Sequence, residues 1–137
     1  MRLLYARHVW IAHVLLMLAV LCVTPAGAHD VEKLVFLVVD EDEVIASNTK
    51  LGRFDRLRLG AGEIVKDYKV ANAVAVVITN RRAVAYGVLR GGWNGRRISA
   101  DEQVESVEVQ DYSATLVTSD RILNYTSRTG VWSETKR

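Results

Sequence analysis

Apolar and polar positions along most of this chain alternate too quickly for helices. Val74 to Thr79 and Arg82 to Tyr86 are two β-rich apolar stretches with a short polar break between them, the pattern of a hairpin. Val35 to Val39 and Ala114 to Thr118 repeat the first stretch elsewhere. Val65 to Val70 and Val104 to Val109 mix apolar with charged residues, as a half-buried strand does. Val76, Val77 and Ile78 are instead consecutive and large, and Leu37, Val38 and Val39 repeat that run. A strand wetted on one face alternates, so these runs predict strands covered on both faces. No segment combines helical caps with helical period. The pattern predicts an all-β chain of antiparallel meanders.

The stretches recur because the chain repeats itself. Shifted by 39 residues without a gap, the segment beginning Val38-Val39-Asp40 lies over the one beginning Val77-Ile78-Thr79, and that over Leu116-Val117-Thr118. Gly52, Gly91 and Gly130 then fall in register, each two residues before an aromatic: Phe54, Trp93 and Trp132. Glycine there supplies a turn in which positive φ costs little. The linking stretches also register, Glu63 with Glu102 and Val65 with Val104. The copies run near 31–69, 70–108 and 109–137. The third stops short of a full period, so it is expected to lack the strand that Val65 to Val70 gives the first.

Units of about 40 residues with doubly covered inner strands resemble the blades of a β-propeller. The run from Val117 to Trp132, with Asp120-Arg121-Ile122-Leu123-Asn124-Tyr125 at its centre, looks like blades of bacterial propeller proteins. The resemblance implies blades stacked face on face and no particular activity. Neither a Trp-Asp blade ending nor a Gly-Gly kelch pair recurs in register in all three copies. Propellers close with about 4–8 blades. Three copies therefore imply a partial propeller, completed as a homodimer of six blades or by docking to another β-repeat protein. A β-trefoil, also built from three repeats, is the alternative fold.

Residues 1–28 read as a secretory signal peptide. Arg2 and Arg7 precede the 15-residue apolar run Val9 to Val23, and Pro25 leads into Ala26-Gly27-Ala28. The run falls short of the about 18–20 residues a spanning helix needs, so membrane contact is expected only transiently, during export. Leu21 before Cys22 does not suit a lipoprotein. Cleavage leaves 29–137 as one all-β domain, secreted or periplasmic. It also removes both basic residues of the segment and changes the charge from +2 to zero, with 16 basic side chains against 16 acidic. Nucleic acid is therefore not an expected partner. The single Cys leaves as well, so neither a disulfide nor a thiolate metal site is expected.

Enzyme chemistry finds little to work with in what remains. His29 is the one mature histidine, so the second ligand of a copper-binding histidine brace is missing. P-loop and dinucleotide fingerprints are absent from the sequence. No catalytic residue, metal or cofactor is expected. The first hairpin tip, Asp40-Glu41-Asp42-Glu43, is acidic, whereas its counterpart Thr79-Asn80-Arg81-Arg82 is basic. That sign change suits charge-steered assembly. It does not suit calcium, because the spacing of a Ca²⁺ loop is missing. Arg81, Arg82, Arg96 and Arg97 crowd the second copy around Trp93 and suggest a site for phosphate, sulfated sugar or anionic lipid. Trp93 and Trp132 are candidate sugar-stacking platforms, against a plainer role in packing between neighbouring sheets. The expected function is a non-enzymatic, exported interaction or scaffold module. The alternative is a lectin-like carbohydrate binder using the repeated aromatics.

Overall fold

A computed structural model describes residues 32–137. The expected signal peptide lies outside the described residues. Eleven strands follow one another: β1 Val35–Val39, β2 Glu43–Asn48, β3 Arg53–Arg58, β4 Val65–Val70, β5 Val74–Thr79, β6 Arg82–Gly87, β7 Trp93–Arg97, β8 Val104–Gln110, β9 Ser113–Thr118, β10 Arg121–Thr126 and β11 Val131–Lys136. They form three antiparallel meanders, β1-β2-β3, β4-β5-β6-β7 and β8-β9-β10-β11. Gly52, Gly91 and Gly130 have φ of 62°, 72° and 73° at the same turn of each, where a side chain would be strained.

The sheets divide the repeat at a different point from the one the sequence suggested. Val65–Val70 does not close the first unit; it opens the second. Only the three residues 71–73 join β4 to β5, and the Ala71 N–H donates to the Val74 carbonyl at 2.9 Å. That is a hairpin, and it pairs the two strands. The third unit is therefore complete with four strands, and the first is short of one among the described residues. A period read from sequence has no origin; the short connection supplies it.

Alternation gives every sheet two faces, and the stack uses them in a fixed sense. The face carrying Tyr125 and Trp132 of the third sheet packs on Val74, Val76, Ile78, Ala83 and Ala85 of the second. The opposite face of the second, with Ala75 and Tyr86, packs on Val35 and Ala46 of the first, and Val77 and Val84 pack on Val44 and Leu57. Every residue of β5 is buried as a result. The other run of large residues departs from expectation: Val38 is 60% exposed, because β1 is covered on one face only. Double coverage belongs to the middle of the stack, and a short apolar run does not reveal its place in it.

One constellation joins the sheets twice. Glu63, buried in the link between the first two sheets, accepts a bond from Thr79 Oγ1 at 2.8 Å and a bidentate pair from Arg82 at 2.7 and 3.0 Å. The same guanidinium reaches back to the Arg58 carbonyl at 3.0 Å. Glu102, Thr118 and Arg121 repeat this one sheet later, with Arg121 bonded to the Arg97 carbonyl at 2.6 Å. At the corresponding positions of the first sheet stand Asp40 and Glu43.

Candidate functional site

The two sealed interfaces define what is missing at the third position. In the second and third sheets a tyrosine stands across from a tryptophan, Tyr86 from Trp93 and Tyr125 from Trp132. Their ring centroids are 5.2 and 5.3 Å apart and the rings are tilted, a favourable aromatic geometry. Each indole N–H donates to a backbone carbonyl of the sheet before it, Trp93 to Asp55 at 3.2 Å and Trp132 to Asn94 at 2.9 Å. In the first sheet the pair is Ser47 across from Phe54. Phe54 is 72% exposed, with Phe36 at 51% beside the exposed Val38. Register sets Phe36 next to Ser47, and Val38 next to Ile45 and then Arg56. An apolar patch bordered by Glu43, Arg56 and Arg58 therefore ends the stack.

The opposite end differs in chemistry. The outer face of the third sheet carries Ser113, Thr115 and Asn124 where the second has Val74, Val76 and Ala85. Asn124 Nδ2 donates to Thr115 Oγ1 at 3.1 Å, and Ser133 Oγ to the Asn124 carbonyl at 3.3 Å. No family model matches the chain, and no curated protein matches its sequence. Among the described residues no group of three His, Cys, Asp or Glu side chains is placed to hold a metal ion.

The structure separates the residues singled out by sequence. Trp132 is 5% exposed and lies in the core, and Trp93 is half-buried against Tyr86. Neither offers a free ring face comparable with Phe54. Arg81, Arg82 and Arg97 do come together, with Asn80 and Gly95, along a cleft of about 640 Å³. Arg82 is neutralised there by Glu63, and Arg81 Nη2 donates to the Ala61 carbonyl at 2.6 Å. Arg96 lies elsewhere, donating to the carbonyls of Gly95 and Trp132 at 3.2 and 3.4 Å. At the acidic tip, Asp40 accepts its neighbour Glu41 N–H at 3.0 Å and Glu43 pairs with Arg56, while Glu41 and Asp42 are exposed.

Two carboxyls with strongly perturbed titration, Glu63 and Glu102, are ones the sequence reading did not select. Burial pushes the Glu63 carboxyl up, but bonds from Arg82, the Gly60 N–H and Thr79 outweigh it and hold the group down to about 2. For Glu102 the bond from Arg121 dominates over burial, with the same result, about 2. Burial and the bond it donates to Asp55 push Tyr86 up to about 12. That bond is 2.6 Å, and Asn48 Nδ2 donates to the same hydroxyl at 2.9 Å. The signal was present: Glu, Thr and Arg recur at the 39-residue offset in two copies and are replaced in the first. Recurrence with one copy missing marks an interface as much as a site.

Proposed function

We propose that this protein is an exported, non-enzymatic interaction module, a partial β-propeller of three blades that assembles through the uncovered aromatic face of its first sheet. The observation that carries the reading is the exposure of Phe36, Val38 and Phe54 at positions whose counterparts are buried or, for Trp93, half-buried in the two sheet–sheet interfaces. A contiguous apolar patch rimmed by charge is the usual mark of a docking surface. Stacking on a like surface of a second copy suits it best. Glu43 and Arg58 are register partners beside the patch, so a two-fold arrangement can set acid against base across the interface. Closing a six-blade ring head to tail would instead lay the patch on the outer face of the third sheet, which mixes the bonded polar groups of Thr115 and Asn124 with Val117, Ile122 and Val131. Burial of its hydroxyl and amide groups gains little.

Light scattering after size exclusion, on protein expressed from the full chain, tests the reading. A dimer that Phe54→Asp or Phe36→Asp converts to a folded monomer supports it. A wild-type monomer at every concentration removes the second copy as the partner.

A further inference from the structure

Among the described residues the first sheet has a second opening, at its edge. Among the described residues six strands lie at sheet edges. Five of them, β3, β4, β7, β8 and β11, each carry at least two charged side chains. β4 and β8 also slip register, between Val65 and Asp67 and between Val104 and Ser106. Charges and bulges are the usual protection of an edge against stray pairing. β1, Val-Phe-Leu-Val-Val, has no charge and no register shift. Its counterparts β5 and β9 are inner strands, each paired on its outer side by β4 or β8.

The backbone there is prepared for a partner. Asp40 N–H donates to Glu43 O and Thr49 N–H to Leu34 O, so the even-numbered residues of β1 turn their peptide groups to β2. Strand alternation then turns those of Val35, Leu37 and Val39 outward. The next layer shows the same vacancy from below. Val107 on β8 is 7% exposed and belongs to the core beneath the second sheet. Its counterpart Tyr68 on β4 is 50% exposed, on the face that a strand beside β1 would cover.

We infer that the edge of β1 is an acceptor for one extended segment of another polypeptide, added antiparallel as β4 is added to β5. A second copy of β1 does not fit this slot, because β4 projects beneath it and would meet the partner's second sheet. The occupant is instead a free strand of about six residues, without proline, alternating apolar with long polar side chains as Val-Lys-Asp-Tyr-Lys-Val does in β4. Main-chain bonds to β1 hold it, and a polar side chain on its lower side crosses Tyr68 as Lys69 reaches the Val107 carbonyl at 2.7 Å. This uses the same sheet as the proposed docking face, but not the same surface.

The test is amide exchange, read by NMR on protein expressed from the full chain, with and without a synthetic peptide of residues 64–71. A proline-containing version of the peptide, carrying Asp67→Pro, is the control. Slowing of the Leu37 and Val39 amides by about 100-fold with the first peptide alone is the expected result. Val39→Pro removes only an outward N–H, and should abolish binding while the other amides of the β1–β2 ladder stay slow. Phe54→Asp, on the far strand of the sheet, should leave peptide binding intact even where it dissolves a dimer. Amides at Leu37 and Val39 that are already slow in a concentration-independent monomer would overturn the inference, since an occupant from the same chain then fills the edge. Fast amides that no peptide slows would overturn it equally.

Discussion

Two aromatic side chains at the same repeat position carry opposite weights. Trp132 fills the space between the second and third sheets and is bonded through its indole N–H. Trp132→Ala is expected to cost about 3–5 kcal/mol, measured by chemical denaturation. Phe54→Ala removes a ring that touches mainly solvent in the monomer, and should stay within about 0.5 kcal/mol under dissociating conditions. Gly87 is a third informative position. A Cβ there would lie 2.6 Å from the Tyr125 hydroxyl oxygen and 2.9 Å from Ser127 Cα, and backbone cannot yield as a flexible side chain can. Gly87→Ala should therefore destabilise by about 1–3 kcal/mol, although its counterparts Asn48 and Thr126 carry side chains without difficulty.

The elements are held in their stack by the two Glu–Thr–Arg constellations. Glu63 and Glu102 titrate near 2 when folded, below the ordinary value of 4.5. A depressed folded pKa makes the unfolded chain the stronger proton binder, so stability rises with pH through this window. The contribution is complete above about pH 5 and disappears as pH falls toward 2. The midpoint of thermal unfolding, followed against pH, should drop across that range, and the double variant Glu63→Gln, Glu102→Gln should flatten the curve. At neutral pH, Glu102→Ala leaves Arg121 and Thr118 without their shared acceptor. It should cost about 2–3 kcal/mol, since hydrogen bonds to charged groups weigh more than neutral ones.

For the molecule as a whole, the two ends of the stack differ. One end carries exposed aromatic rings, and the other mixes hydroxyls and amides bonded among themselves with the exposed Ile122 and Val131. An assembly through the aromatic end alone stops at two copies, because a two-fold contact uses that surface on both of them. It also makes unfolding depend on concentration. The thermal midpoint of the wild type is expected to rise with protein concentration and that of Phe54→Asp to stay constant, by differential scanning fluorimetry over a dilution series. Arg81 and Arg97 line a cleft of their own, and charge reversal at Arg81 should leave the concentration dependence unchanged.

The sequence by itself determined the all-β character, the 39-residue repeat of the strands and the glycine turns. These are local or periodic properties: alternation, turn chemistry and a constant spacing survive in any stack the chain might form. It also contained the recurring Glu, Thr and Arg, visible as a spacing although not as an interface. What the tertiary structure alone decided was which sheet lies between two others and which strand begins a unit. Three similar copies have almost the same local pattern, whereas coverage depends on neighbours. Phe54, Trp93 and Trp132 share one register position, yet the first faces solvent and the last is core. Val38 and Val77 differ in the same way. Order in the stack turns equal sequence signals into a buried interface in two places and an open surface in the third.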